Sequence, residues 1–433
     1  MKKAIRISAF ALAILIVLLS VWFLILRPVV GKNIAVISTD NYKINGAMMS
    51  YLIKGEMEDY VSEHTELYGA DYIKTIGLSA DKSLKWQKSP YGESWFSYFY
   101  DRVITDMKTT LATCEAAKEA GIVLTDEEEA ALKKSAEAYE KYGTENVLYA
   151  MKTKALAEKF KEKFYASLSY GSDEYEKYYN GHREEFDYVD YKYMEISVKL
   201  DGTEEGKTAA YNAAKSAAQR LVNRIASVGF DKAATDYLSS ISSDKTLADY
   251  TVSEYAFEER TQFGAWAFNK ERKDGDSVIF EGTGQFSVYY LEKAPYKLDY
   301  KTRKVQMVTM PLGSDPYATV EKMQTVYSKW QEMENTEANF KTLSGAVSTT
   351  VFKETASEKL RAWVYSDKRA VGDWDVVEDT INLYLVRYTG EGDSSFTQKA
   401  NEALGKSDYD ATVAKAEKNC GLKVKKGVKT LIK

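Results

Sequence analysis

The chain changes its hydrophobic period near residue 190, from the spacing of helices to the alternation of strands. Before that point apolar residues recur three or four positions apart, most clearly between Ser94 and Ala120. After it, the segment from Tyr191 to Val198 alternates between two sets of side chains, which is the pattern of a β-strand. These periods predict an α+β protein in which a helical region is followed by mixed helices and strands.

The first region is predicted to be all-helical, although a short apolar run at residues 32–40 also fits a strand. Helices are expected at residues 47–62, 94–120, 145–167 and 172–181, with a further one beginning after Thr125. Thr125 and Glu128 have the spacing of a capping box, and Asp173 and Glu176 have the same spacing. Both pairs therefore predict the starts of helices.

A run of twenty residues without a charge, from Ile7 to Leu26, precedes the helical region. At 1.5 Å per residue such a helix is about 30 Å long, which matches the hydrocarbon core of a bilayer. Lys2, Lys3 and Arg6 come before it, so we expect a cytoplasmic N-terminus and an extracytoplasmic remainder. The run is long for a signal peptide and predicts a single-pass anchor in the cell membrane, with cleavage after Gly31 as the alternative.

The second region contains an internal repeat. Residues 191–200 align without gaps on 303–312, and residues 265–276 align on 362–373 with Ala-Trp and Gly-Asp shared. In both copies a long helical pattern follows the first segment and a strand pattern follows the second. The repeat predicts two α+β domains of one construction. The predicted divisions of the chain are 1–31 for the anchor, 32–186 for the helical domain, 187–296 and 297–390 for the two repeats, and 391–433 for a C-terminal helical segment.

This order of elements resembles the SurA/PrsA-type foldases. The matching phrases are YKINGAMMSYLIKGEMEDY, TLATCEAAKEAGIVLTDEEEAAL and SDEYEKYYNGHREEF in the helical region and FGAWAF followed by Gly275-Asp276 in the first repeat. The resemblance implies a peptide-binding helical domain, two parvulin-like domains and a C-terminal helix that packs back on the helical domain. It also implies unfolded or newly translocated polypeptides as partners.

Parvulins are prolyl isomerases that use two histidines on neighbouring strands, and neither repeat has kept them. The resemblance places other residues at the four histidine positions, namely Glu195, Phe286, Met307 and Leu383. A carboxylate or a thioether cannot reproduce a hydrogen-bonded histidine pair, so we expect isomerase catalysis to be lost. Phe263 matches an aromatic residue of the proline pocket, with Leu360 as its counterpart, and Phe263 and Trp266 are the expected peptide contacts.

Composition narrows the function further. The net charge of −5 across 433 residues argues against nucleic acid as a main partner. The chain has only two histidines and two widely spaced cysteines, so we expect no zinc site, no cofactor and two free thiols. The 33 tyrosines suit peptide contact, since tyrosine combines apolar area with a polar tip. The leading hypothesis is a membrane-anchored chaperone or foldase-like protein, with an altered-site isomerase and a cell-envelope scaffold as alternatives.

Overall fold

The computed structural model describes residues 27–432 except 200–203, 242, 259 and 314. It contains three antiparallel sheets and many helices, which confirms the predicted α+β class. The predicted anchor, Ile7–Leu26, lies outside the described residues. Among the helices within those described residues, none has both the length and the apolar composition needed to cross a bilayer.

The elements follow one another in a simple order. The N-terminal elements are α1 (Arg27–Asn33), β1 (Ala35–Ser38), β2 (Lys43–Asn45), α2 (Gly46–Tyr68), α3 (Ala70–Thr75), α4 (Trp95–Glu119), α5 (Asp126–Ala136) and α6 (Thr144–Ser167). Next come α7 (Ser172–Gly181), α8 (Arg183–Phe186), β3 (Asp187–Ser197), α9 (Glu204–Val228), α10 (Phe230–Ser240), β4 (Thr251–Ala256), α11 (Gln262–Ala267), β5 (Ser277–Gly282) and β6 (Gln285–Lys297). The last are β7 (Lys301–Pro311), α12 (Pro316–Gln331), α13 (Glu337–Phe340), β8 (Ala346–Val351), α14 (Glu358–Val364), β9 (Trp374–Glu378), β10 (Asn382–Ser394), α15 (Ser395–Asn419) and β11 (Lys423–Val424).

The chain forms two compact units. The first unit holds the residues up to Ser169, the segment Pro311–Lys322 and the residues from Glu402 onward. The second unit holds Tyr170–Met310 and Met323–Asn401. Residues 172–186, which the sequence pattern assigned to the helical region, therefore pack within the second unit.

Helix α4 runs through the centre of the first unit. The Ser94 hydroxyl accepts the Ser97 N–H at 3.1 Å and caps its start, and Phe99, Met107 and Leu111 are among the fully buried residues of its inner face. The predicted capping box at Thr125 is confirmed, since its hydroxyl accepts the Glu128 N–H at 3.2 Å. The second predicted box is wrong, because the cap of α7 lies two residues earlier, at Gly171, and its N–H donates to the Glu174 side chain.

The first unit also contains a small sheet, so the prediction of an all-helical region is wrong. Its strand order is β11-β1-β2, with Ile37 opposite Val424. Strand β11 comes from the far end of the sequence, so no local pattern near β1 could reveal the pairing. Ahead of β11, the second half of α15 packs on α4 and α6, with the Tyr409 ring 5.6 Å from that of Phe164 and Val413 beside Ala112.

The two cysteines are buried free thiols, as predicted. Cys114 donates its S–H to the Thr153 carbonyl at 3.2 Å. Burial, with a smaller contribution from Glu115, raises the pKa of the Cys114 thiol to about 12. The group therefore stays protonated at physiological pH and is a poor nucleophile.

The second unit contains two four-stranded sheets of the same construction. Their strand orders are β4-β3-β6-β5 and β8-β7-β10-β9, so each copy places its first and last long strands side by side in the middle. Helices α9 and α10 cover one face of the first sheet, where Met194, Ile196 and Val288 are buried. The internal repeat in the sequence is thus a repeat in the architecture.

One bonding pattern is shared by both copies at a constant offset of 97 residues. In the first copy, the Gly275 N–H donates to the Leu291 carbonyl of the last strand and the Leu291 N–H donates to the Asp276 carbonyl, both at 2.8 Å. In the second copy, the Gly372 N–H donates to the Tyr388 carbonyl at 2.9 Å and the Tyr388 N–H donates to the Asp373 carbonyl at 2.8 Å. Both glycines have positive φ, 90° and 95°, which favours glycine at this turn. The shared Gly-Asp pair therefore closes the same turn in each repeat.

A stacked arginine accompanies this turn in each copy. Arg272 lies 5.3 Å from the Trp266 ring centre and contacts Asp276 at 3.3 Å. Arg369 lies 3.8 Å from the Trp363 ring centre and contacts Asp373 at 3.5 Å. The shared tryptophan thus belongs to the frame of the repeat in both copies.

Candidate functional site

Helix α11 carries both predicted peptide contacts, Phe263 and Trp266, and lies on the face of the first sheet opposite α9 and α10. Beneath it, Val189 of β3 and Leu291 of β6 are fully buried. Because side chains alternate along a strand, the same face also presents Tyr191 and the residues two and four positions further on.

The approach of α11 to the rest of the repeat depends on a glycine. The Thr261 hydroxyl caps the helix by accepting the Gly264 N–H at 2.9 Å. A Cβ at Gly264 would lie 2.3 Å from the Glu258 carbonyl oxygen, well inside any allowed contact. Only glycine lets the helix sit this close to the preceding turn.

A group of half-buried tyrosines surrounds Phe263. The Phe263 side chain is 7% exposed, and its ring lies 4.3 Å from that of Tyr191 and 4.4 Å from that of Tyr289. We call the surface around it the tyrosine face, and its members are Tyr191, Tyr193, Tyr250, Tyr255 and Tyr289. Phe263 is therefore the floor of this surface, and the tyrosine rings form its accessible part.

Trp266 occupies the edge of the tyrosine face. Its ring is 6.1 Å from that of Phe263 and 6.4 Å from that of Phe280, and Arg272 lies over it. The side chain is half-buried. The structure thus brings the two predicted contacts together, but one face of the indole is already occupied by a guanidinium group.

The hydroxyls of Tyr191 and Tyr289 are neutral at physiological pH. Burial, followed by the neighbouring tyrosines, raises the pKa of Tyr191 to about 12. Burial and then the Glu195 carboxylate raise the pKa of Tyr289 as well. These side chains can donate and accept hydrogen bonds, but they do not supply a ready base or nucleophile.

The two histidine positions of the first repeat do not face each other. Glu195 is exposed on the side of the tyrosine face, where it accepts a bond from the Gln285 side chain at 3.1 Å and lies opposite Ser287. Phe286 pairs with Ile196, is 2% exposed and packs with α9 on the other side of the sheet. Glu195 and Phe286 therefore lie on opposite faces of the sheet, because their positions in the register differ by one residue and side chains alternate along a strand.

The two histidine positions of the second repeat, Met307 and Leu383, also lie on opposite sides of their sheet. Met307 packs with Val305 and Val386 on the side of α14, whereas Leu383 is buried on the opposite side. On strand β10, Tyr384 and Val386 lie on the same side of the sheet as Met307. Here the centre of the face is closed, since Val305, Val386, Tyr384 and Leu360 are each at most 8% exposed, whereas Met307, Trp363 and Tyr365 on the same side are half-buried.

Tyr384 belongs to a polar turn between β9 and β10. It donates its hydroxyl to Asp379 at 2.8 Å, and the N–H groups of Ile381 and Asn382 donate to the same carboxylate at 2.8 and 2.7 Å. Burial alone would raise the pKa of Asp379, but these bonds hold it at about 2. The cluster fixes the turn and leaves the carboxylate ionised.

The histidines of the chain lie outside the tyrosine face. His64 stacks on Tyr60 at 3.8 Å in the first unit, and His182 stacks on Tyr178 at 4.1 Å after α7. Over residues 27–432, with the gaps given above, no group of three or more His, Cys, Asp or Glu residues could hold a metal ion. The polar groups that the face offers to a bound molecule include Glu195, Ser287 and the tyrosine hydroxyls.

Comparison with known proteins adds no family to this description. No protein-family model matches the chain, and no curated protein is similar to it in sequence.

Sequence reasoning found α11 but missed the tyrosines that make the surface. The signal was present, because Tyr191, Tyr193 and Glu195 alternate with the buried residues of β3. The contributions of Tyr255 and Tyr289 depend on strand pairing across 60 or more residues and could not be read locally.

Proposed function

We propose that the protein is a membrane-anchored, extracytoplasmic chaperone or foldase-like protein that binds unfolded or newly translocated polypeptides without isomerising their prolyl bonds. The observation that carries this proposal is the tyrosine face, a half-buried aromatic surface over Phe263 that offers no pair of acid–base groups. The clients bind through their apolar side chains and backbone.

The chemistry of tyrosine supports this function. A tyrosine ring offers a large apolar area at a low cost in conformational entropy, and its hydroxyl satisfies the polar groups of an extended chain. Since the pKa of Tyr191 is raised to about 12, its hydroxyl keeps both donor and acceptor capacity over the physiological range. Such a surface tolerates many sequences, as an unfolded client requires.

The repeated architecture supports the comparison with foldases. Each sheet has two long central antiparallel strands and a short helix carrying an Ala-Trp pair, an arrangement that resembles a parvulin domain. The residues that face each other at the centre of the first repeat are Glu195 and Ser287. This pair lacks the imidazoles of the resembling family, so we assign binding and not turnover to the site.

The direct test is client binding by the full chain reconstituted in lipid nanodiscs. We expect it to slow the aggregation of an unfolded client and to bind an unfolded peptide. Tyr193→Ala and Tyr289→Ala should each cost about 1–2 kcal/mol, which is about five- to thirtyfold in Kd. Tyr317→Ala is the matched control, because Tyr317 is 88% exposed and lies outside the tyrosine face. Equal loss in the control, or no client binding at all, would refute the proposal.

A proline-peptide isomerisation assay separates this function from the altered-site isomerase. We expect no acceleration over the uncatalysed rate. Acceleration that disappears in Glu195→Ala or Phe263→Ala would establish the isomerase instead. Capture of one defined folded partner, with no affinity for unfolded chains, would favour the scaffold.

A further inference from the structure

Three exposed apolar residues lie near the beginning of the described chain, in the first unit. Trp86 is 88% exposed, and Val29 and Val30 of α1 are 56% and 38% exposed. Tryptophan side chains are highly buried on average in soluble proteins. An indole that is almost wholly exposed, in a unit that also exposes Val29 and Val30, therefore indicates a contact surface.

Contacts with the C-terminal residues Leu431 and Ile432 place the two segments that carry these side chains at one end of the unit. Gly31 packs directly on the C-terminal segment, since a Cβ built there would lie 2.3 Å from the Leu431 carbonyl oxygen. The Lys85 ammonium donates to the Ile432 carbonyl and lies 4.7 Å from the centre of the Phe96 ring in the first turn of α4. Helix α1, the 3₁₀ turn Leu84–Trp86 and the start of α4 thus meet at one end of the unit.

The opposite end of α4 is distant. The helix has 25 residues, which is about 37 Å at 1.5 Å per residue. Asn41 bonds to Glu115 near its far end, so the chain travels the length of α4 between Gly31 and Asn41. Val123 follows that far end and is 71% exposed, which gives a comparable apolar position well away from Trp86.

The charges around Trp86 are mainly positive. Lys82 and Lys88 flank it and are exposed, and Lys85 is half-buried between them, whereas Asp81 is the only acidic residue among 81–88. Lys32, next to Gly31, is also exposed. At the other end, α5 begins with the four acidic residues Asp126–Glu129. The surface beside Trp86 therefore complements an anionic partner.

The position of the predicted anchor identifies that partner. The uncharged run ends at Leu26, five residues before Gly31. Five residues span at most about 18 Å, and the headgroup layer adds about 5–8 Å on each side of the hydrocarbon core. Gly31 is thus close to the bilayer surface whenever the run spans it.

We propose that this end of the first unit rests on the membrane, with Trp86 in the headgroup layer and Lys82 and Lys88 against anionic lipid headgroups. Tryptophan is enriched at this depth because its ring is apolar and its N–H is polar. Lysines near an anionic leaflet are each attracted to it. The contact fixes the orientation of the first unit relative to the bilayer and does not depend on the tyrosine face.

The test uses the full chain in vesicles of phosphatidylcholine with a minority of phosphatidylglycerol. A polarity-sensitive dye is attached at Trp86→Cys or, as the matched control, at Val123→Cys. The native thiols Cys114 and Cys420 are buried, and burial raises both of their pKa values, so labelling is selective. We expect emission at shorter wavelength and quenching by lipid-attached nitroxide at position 86, and quenching by aqueous iodide at position 123.

Several outcomes decide the proposal. Changing Lys82 and Lys88 to glutamine should reduce the nitroxide quenching at position 86 to the level seen in pure phosphatidylcholine. Equal iodide access at positions 86 and 123, with no lipid quenching, overturns the proposal. Protection of position 86 by an added unfolded polypeptide, without lipid quenching, also overturns it and assigns the surface to clients. A thermal unfolding transition unchanged from that of the unsubstituted chain shows that each labelled variant is folded.

Discussion

Replacing Phe263 by alanine should loosen the first repeat and remove the floor of the tyrosine face. The side chain is 7% exposed and its ring touches those of Tyr191 and Tyr289 at centre distances of 4.3 and 4.4 Å. Truncating a buried phenylalanine to alanine costs about 3–5 kcal/mol. The surrounding tyrosines are only half-buried and can move into the space, so we expect the lower end, about 3 kcal/mol.

Hydrogen exchange can measure this cost within one repeat. A chain of several compact parts has no single free energy of unfolding, whereas amide protection reports each cooperative part separately. A loss of about 3 kcal/mol corresponds to about 150-fold faster exchange at 1.4 kcal/mol per tenfold change, and we expect it for the protected amides of β3 and β6. Leu360→Ala, at the equivalent position of the second repeat and 5% exposed, should instead accelerate exchange in β7 and β10.

Peptide binding is measured on the same two variants. Phe263→Ala should weaken the binding of an unfolded peptide, while Leu360→Ala should leave it unchanged, because the centre of the face is closed in the second repeat. The reasoning fails if Phe263→Ala leaves the protection of β3 and β6 intact. It also fails if both variants lose the peptide equally, since the loss would then not belong to the tyrosine face.

Three further predictions concern stability and reactivity. Gly264→Ala should displace α11 and weaken peptide binding, because its Cβ would meet the Glu258 carbonyl at 2.3 Å. Gly55→Ala, at a helix-interior site with open space, should instead stabilise α2 by about 0.5–1 kcal/mol, measured as slower hydrogen exchange of the α2 amides. The depressed pKa of Asp379, about 2, means that its contribution to stability is present above the unfolded pKa and is lost as the pH falls from about 4 to about 2. Asp379→Asn should therefore lower stability at neutral pH and reduce the loss of stability between about pH 4 and pH 2 in an unfolding curve measured against pH. An unchanged loss of stability in that range would contradict the role assigned to Asp379. Cys114, with its pKa raised to about 12, should not react with a thiol reagent at pH 8 until the chain is unfolded, and rapid reaction of the folded chain would show that the thiol is accessible.

Local and repeated patterns predicted much of the fold. The structure confirms the capping box at Thr125, and it shows the same Gly-Asp turn in both repeats. The first depends on contacts within a few residues and the second on a duplicated segment, so both leave a signal in the sequence. The pairing of β1 with β11 was missed, since it joins segments almost 400 residues apart. That Glu195 and Phe286 lie on opposite faces of the sheet could not be read from the sequence either, because it depends on the register in which β3 pairs with β6.

The two repeats share a frame, but the surfaces on that frame differ. The tryptophan, the arginine stacked on it and the aspartate that binds the arginine occur in both copies at one offset. At the same offset, Tyr289 of the tyrosine face is replaced by Val386, which is fully buried. Because valine is smaller than tyrosine and wholly apolar, the side chains around Val386 pack against it and bury the centre of the second face. This packing removes apolar area that a client could otherwise bury. In the first repeat, the large tyrosine rings of the tyrosine face remain half-buried. The half-buried tyrosines occur in the first repeat, whereas the centre of the corresponding face in the second repeat is buried, which is why binding is assigned to the first repeat alone.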